Sequence, residues 1–157
     1  MVVKLVFVGK TVEKYLKEGI ALYSDRIGHY CKFSILEIPE LKNAKSLSRE
    51  QIKEKEGEMI LKAIAPSDRL ILLDERGKSY SSIEWAAELE QKLAQNSKAT
   101  VFVIGGSYGF SQNVYDRADQ LLSLSKMTFS HQLVRVIFLE QLYRAFTIIK
   151  GEPYHHE

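Results

Sequence analysis

The sequence of 157 residues is poor in several things, and each shortage removes a class of protein. A single cysteine, Cys31, excludes an internal disulfide and fits a reducing compartment. No apolar run approaches the ~18 residues that a membrane-spanning helix needs. No secretory pattern opens the chain, because Met1 leads straight into Val2-Val3-Lys4-Leu5-Val6-Phe7-Val8 without a small-residue cleavage site. A soluble, cytoplasmic protein is expected. The formal net charge is only +2, so contact with a nucleic acid must come from local basic residues. No G-x-x-x-x-G-K-[ST] occurs, which excludes a P-loop. The glycines of Gly105-Gly106-Ser107-Tyr108-Gly109 lack dinucleotide spacing and follow the fourth strand rather than the first. No metal is expected: His155 and His156 are adjacent, and neighbours on an extended tail point to opposite sides. Cys31 has no evident base nearby, so a nucleophilic triad has no support.

What is present is an ordinary globular composition in one domain, 1–157, with strands and helices in alternation. Val2 to Val8 reads as a strand ended by Gly9, followed by an amphipathic helix with Val12, Tyr15, Leu16, Ile20, Tyr23 and Ile27 on one stripe. Phe33 to Ile38 is a second strand stopped by Pro39, and Leu41 to Lys45 a polar loop. Ser48 and Gln51 form a capping box for a helix reaching about Ile64 and closed by Pro66. Leu70 to Leu73 is a third strand with a turn at Gly77. Ser81 and Glu84 then cap a helix carrying Ile83, Ala86, Leu89 and Leu93 inward. Thr100 to Ile104 and Leu121 to Leu124 are the fourth and fifth strands, and a long helix runs from about His131 to Lys150. Strands three and four are apolar throughout, the pattern of strands covered on both faces. The expected fold is a three-layer α/β/α domain with a mostly parallel sheet.

The last helix is apolar nearly all round, from Val134 through Phe138, Leu142 and Phe146 to Ile149. A helix buried on every side needs more cover than an outer layer gives, so a homodimer through this helix is expected; a central helix of a monomer is the alternative.

Ligands of parallel sheets sit beyond the carboxyl ends of the strands. Three such ends are unusual here: Leu73-Asp74-Glu75-Arg76-Gly77-Lys78, Ile104-Gly105-Gly106-Ser107-Tyr108-Gly109-Phe110, and Leu124-Ser125-Lys126-Met127-Thr128-Phe129. Adjacent glycines let a backbone approach a ligand, although Gly-Gly is also a common turn. The tail from Gly151 sets Tyr154, His155 and His156 behind Pro153. It reads either as a frayed end or as rings that stack a splayed RNA base.

Taken together, these loops and the tail resemble the RlmH family of SPOUT methyltransferases, which methylate N3 of a pseudouridine in bacterial 23S ribosomal RNA. The stretch from Ser125 through Phe129, Ser130, His131 and Arg135 to Val136 carries most of the resemblance. It continues through Leu139-Glu140-Gln141-Leu142-Tyr143-Arg144-Ala145 to Gly151-Glu152-Pro153-Tyr154-His155. Lys55-Glu56-Gly57-Glu58, Leu73-Asp74 and Ile104-Gly105-Gly106 also fall in place, so the whole chain is covered. Ser107 and Ser130 stand where the motif carries prolines, which loosens the loops by about 0.5–1 kcal/mol.

The resemblance implies a C-terminal trefoil knot, S-adenosylmethionine as methyl donor and a site shared by two subunits. It implies cofactor contacts at Leu73, Gly105, Leu124, Ser125, Lys126, Met127, Thr128 and Phe129. The N3 proton must be accepted and charge on the flanking oxygens stabilised. His155 is the candidate base, with Arg135 or Arg144 supplying positive charge and Tyr154 stacking the base. Arg135 in an ion pair with Glu140 or an acid elsewhere, and His131 as a helix opener, are the structural alternatives. Lys78, Lys126, Arg135, Arg144 and Lys150 are candidate contacts to 23S ribosomal RNA, with the assembled ribosome as substrate.

Overall fold

The five apolar runs assemble into one sheet in the order β2-β1-β4-β3-β5, with every neighbouring pair parallel. The structure is a computed structural model and describes residues 1–95 and 98–156. The strands are β1 (Val2–Val8), β2 (Lys32–Ile38), β3 (Arg69–Ser79), β4 (Thr100–Ile104) and β5 (Gln120–Ser123). The helices are α1 (Lys14–Ile27), α2 (Arg49–Lys62), α3 (Ser82–Ala94), α4 (Gln112–Arg117) and α5 (Leu133–Ile149), with a short 3-10 turn at Ala44–Ser46 that overlaps the end of the expected polar loop.

Alternation along the strands feeds two cores. Val3, Leu5, Phe7, Ile71, Phe102 and Ile104 point to the side covered by α1, α3 and α5. Val6, Val8, Leu70, Leu72, Val101 and Val103 point to the side that holds Ile60 of α2 and Val114 of α4. β4 is buried along its whole length, as a central strand covered on both faces must be.

Local chemistry explains the helix starts. Ser48 accepts from the Gln51 amide at 3.1 Å while Gln51 Oε1 accepts from the Ser48 amide at 2.9 Å, a complete capping box. Ser81 makes only the forward half, accepting from the Glu84 amide. Ser130 accepts from the Leu133 amide at 3.0 Å, so the serine at a motif proline caps α5. Such a cap is worth about 1 kcal/mol and offsets the lost rigidity.

Four expectations are corrected. Gly77 lies inside β3, not in a turn, and is part of a bulge across which Leu73 and Lys78 both pair with Leu122. Its missing side chain is required there, because a Cβ would sit 2.5 Å from the Leu121 carbonyl carbon. Ile83 is exposed and Trp85 takes the inward position of α3. Val12 precedes α1, and both it and Tyr15 face solvent.

The fourth correction concerns α5. Its apolar girth is explained largely within the chain, because α1 packs on one side and α3 on the other. Phe138 and Phe146, expected at a subunit seam, are fully buried in their own domain. Phe138 lies against Phe102 with centroids 4.9 Å apart, and Phe146 stacks on Tyr30 at 5.4 Å.

Candidate active site

The carboxyl ends of β4, β3 and β5 open into one cleft of about 1360 Å³. Leu73, Gly105, Leu124, Ser125, Met127, Thr128 and Phe129 all line it; Lys126 is exposed and does not. The three unusual strand ends therefore converge on one place. Each is held by its own device. The β3 bulge is fixed by Asp74, which accepts from the Arg76 amide at 2.8 Å and from the Tyr115 hydroxyl. The turn after β4 closes through the Gly109 amide donating to the Gly106 carbonyl at 3.2 Å. The β5 loop is folded by Ser125, whose hydroxyl accepts from the Met127 amide, and joined to the bulge by Thr128 donating to Glu75 at 3.2 Å.

The electrostatics are mixed. Arg49, Lys53 and Arg76 line the cleft with Glu50, Glu54, Asp74 and Glu75. Burial works to raise the Asp74 carboxyl, but hydrogen bonds from Tyr115 and Arg76 outweigh it and hold the group below the usual carboxylate range. Burial, and then the same bond, raise the Tyr115 phenol. Glu56, behind the Gly106 backbone, is raised by burial and by Glu40. Tyr115, the partner of Asp74, and the cleft-facing Arg49 are contributions that the sequence reading missed. Tyr115 and Arg49 lie on helices whose meeting with the strand ends no local spacing reveals.

Arg135 is not in the cleft. It is 1% exposed, with its guanidinium 3.9 Å from the centre of the Phe7 ring. It donates to the Val8 carbonyl at 2.8 Å, the Thr11 hydroxyl at 2.9 Å and the His131 carbonyl at 3.2 Å. Burial lowers its proton affinity, opposed by Glu37 and Glu40. The alternative ion pair with Glu140 is not formed; Glu140 is taken by Arg144, whose Nε donates to it at 3.1 Å. Arg135 instead ties the start of α5 to the end of β1. His131, beside it, lines the cleft; the cap comes from Ser130, so the His131 ring is not needed for it.

Arg144, Tyr154 and His155 do come together, at the far end of α5. Arg144 donates to His155 Nδ1 at 3.0 Å and lies 4.9 Å from the Tyr154 ring centre. Tyr154 packs edge-on against Tyr143 at 4.7 Å and donates to Glu140 at 3.2 Å. Tyr30 donates to Glu152 at 2.7 Å. The described tail is thus fastened rather than frayed; Glu157 lies outside the described residues. Burial and the Tyr23 hydroxyl push the Tyr154 phenol up to about 12. Ten helical residues separate the cleft-lining Val134 from Arg144, about 15 Å at 1.5 Å per residue. Lys78, Lys126 and Lys150 are exposed.

Residues 1–155 match the family described as predicted SPOUT methyltransferase. The chain belongs to the SPOUT methyltransferase family. Among its relatives, the ribosomal RNA large subunit methyltransferase H of Bacteroides fragilis is 56% identical over 98% of both chains. That of Parabacteroides distasonis is 53% identical over 100% of both, and that of Flavobacterium johnsoniae 52% over 100% of both. The fold resembles the crystal structure of a probable methyltransferase from Bordetella pertussis, with a TM-score of 0.57 at 11% identity over 91% of this chain and 93% of that one. A SPOUT methyltransferase needs a donor pocket, and the residues of this cleft fit S-adenosylmethionine. Leu73, Ile104, Leu124 and Phe129 offer apolar walls for a purine, and the Gly105-Gly106 backbone lines the cleft beside them, a Cβ at these two positions meeting the Phe110 ring and the Glu56 carboxylate. The space exceeds the ~300–1,000 Å³ of a typical small-ligand pocket, leaving room for part of a second molecule. Among the described residues no group of side chains could hold a metal ion, and no helix is long and apolar enough to cross a membrane.

Proposed function

We propose that this protein transfers the methyl group of S-adenosylmethionine to N3 of a pseudouridine in 23S ribosomal RNA, within the assembled ribosome. The observation that carries the reading is the convergence of the three strand-end loops on one cleft, in a chain matched end to end by the methyltransferase H relatives. Leu73, Gly105 and the loop 124–129 hold the cofactor. When bound, it supplies a sulfonium-activated methyl group. The task left to the chain is alignment, removal of the N3 proton and stabilisation of charge on the flanking oxygens.

The ~15 Å along α5 keeps Tyr154, His155 and Arg144 away from the cleft of their own chain. Their use requires the tail of a second subunit, which supports a homodimer. The face that favours it is not Phe138 and Phe146 but an exposed apolar patch of Tyr15 and Leu22 on α1, with Leu133 on α5. Gly19 and Val136 meet between them. In such a dimer Tyr154 stacks the target base and Arg144 faces its oxygens or phosphate. Lys78, Lys126 and Lys150 add local positive charge.

Two imidazoles compete to accept the proton. His155 arrives with the tail, whereas His131 already lines the cleft. Single-turnover methylation with His131→Ala and His155→Ala separates them, since loss of the acceptor lowers the rate by roughly 10²–10⁴-fold. In the knot implied by the resemblance, residues 124–132 pass the β3 bulge before entering α5. The Thr128–Glu75 contact supports such a passage.

The test of the function is nucleoside mass spectrometry. Ribosomes from a strain lacking the gene should gain one 3-methylpseudouridine in 23S RNA on incubation with the protein and S-adenosylmethionine. Methylation of a different nucleoside, or none, overturns the proposal.

A further inference from the structure

One aromatic side chain on the rim of the cleft is left unexplained by the cofactor. Tyr108 stands at the tip of the turn Gly106-Ser107-Tyr108-Gly109, which Gly109 closes with a φ of 83°. It is 44% exposed and lines the cleft. A tyrosine at a turn tip forgoes burial, so its presence there is not a packing requirement.

Its neighbour is as unusual. The Arg49 guanidinium lies 5.0 Å from the centre of the Tyr108 ring. Arg49 is the first residue of α2, where a cation opposes the helix dipole. Glu50, next along, pairs with Lys53 at 3.0 Å, and Arg49 takes part in no ion pair among the described residues. A positive charge set against the dipole and left without a carboxylate is poised for an anion from outside.

An aromatic face backed by a guanidinium, with phosphate-binding charge beside it, is the chemistry that holds an unpaired nucleobase. The pair stands on the α2 side of the cleft, next to the β4 turn. The loop 124–129 stands beyond β3, so the two rims are separated by a strand of the sheet. The cleft exceeds the space of one small ligand, which leaves this rim for RNA. We infer that Arg49 and Tyr108 form a stacking subsite for an unpaired base of the RNA substrate, with Arg49 also meeting its phosphate. The inference rests on the reading of the protein as an RNA methyltransferase.

Tyr108→Ala, Tyr108→Trp and Arg49→Ala test it in the full-length protein, with S-adenosylmethionine affinity from calorimetry and kcat and KM from ribosome methylation. Tyr108→Ala should raise KM for ribosomes on the order of 5- to 100-fold, the effect of losing one base–aromatic stack, at unchanged cofactor affinity. Tyr108→Trp should restore it. Arg49→Ala should raise KM and reduce the slope of log KM against log salt by about one. A KM within twofold of wild type for both alanine variants overturns the subsite. Cofactor affinity falling in step with KM also overturns it, making the ring a wall of the cofactor pocket. A wild-type protein that binds S-adenosylmethionine but leaves ribosomes unmethylated overturns the functional reading instead.

Discussion

The Arg144 guanidinium donates to Nδ1 of His155 at 3.0 Å, so the neutral imidazole carries its proton on Nε2. Because Arg144 also holds Glu140, which accepts from Tyr154, one guanidinium orders Tyr154 and His155 of the tail. Nitrogen-15 spectra should show the Nε2–H tautomer of His155 in the resting protein, and Arg144→Ala should abolish the preference. Methylation by that variant should fall on the order of 10²-fold through misplacement of the tail, at unchanged cofactor affinity. A His155 ring protonated on Nδ1 in the wild type contradicts the arrangement.

Arg135→Ala should act on stability. It leaves the Val8 carbonyl and Thr11 hydroxyl without their donor and opens a cavity beside Phe7, together about 3 kcal/mol or more. Urea unfolding reads this directly. A variant as stable as wild type but inactive would restore Arg135 to the reaction.

Much of this architecture was legible in the chain. Continuous apolar runs at 70–73 and 100–104 disclosed a sheet covered on both faces, and Ser48 with Gln51 disclosed where α2 begins. Gly77 misled because a bulge and a turn ask the same thing of a glycine: room for another backbone. The girth of α5 misled because an all-round apolar helix does not say whether its cover comes from α1 and α3 or from a second subunit. Of the site, the three strand-end loops were visible, since each directly follows an apolar strand run, while the Tyr115 and Glu75 contacts that hold two of them come from 41 and 53 residues away. Arg135 was not: its acceptors Val8 and Thr11 are 127 and 124 residues away.

Gly77→Ala should be disproportionately harmful for a single methyl group. The methyl would meet the Leu121–Leu122 backbone at 2.5–2.7 Å, which can yield only by shifting β5. Overpacking of this kind costs about 1–3 kcal/mol. Since β5 leads into the loop 124–129, S-adenosylmethionine affinity should fall as well. Gly109→Ala serves as the contrast: no atom lies within 4 Å, so only the left-handed φ of 83° opposes it.

Glu56→Gln should stabilise the protein at neutral pH. Burial first, and Glu40 second, raise the folded carboxyl above its ordinary value. A group so raised contributes stability that is fully present below the ordinary carboxyl value and is lost as pH rises through the folded one. Above both, the ionised carboxylate is a burden that glutamine removes. Thermal melts should show a higher Tm for the variant at pH 7–8 and a closing gap toward pH 4. A gap that is constant with pH would mean that charge is not the cause.

Light scattering should give a dimer, and Leu22→Asp should give a folded monomer, because the exposed α1 position tolerates a charge in the isolated domain. Mixed dimers of His155→Ala and Gly105→Val chains should regain activity if the tail of one subunit serves the cleft of the other. A wild-type monomer with full activity rules out a shared site.

The anchoring of α5 to the first loop has a consequence for synthesis. Gln132 clasps Lys10 and Val12, and Arg135 clasps Val8 and Thr11, across at least 120 residues of chain. Contacts so distant in sequence form late. A growing polypeptide can lay down β1 to β4 early, whereas the start of α5, which follows the rim residues 124–131, is tied to the first loop only once the segment through Arg135 has left the exit tunnel.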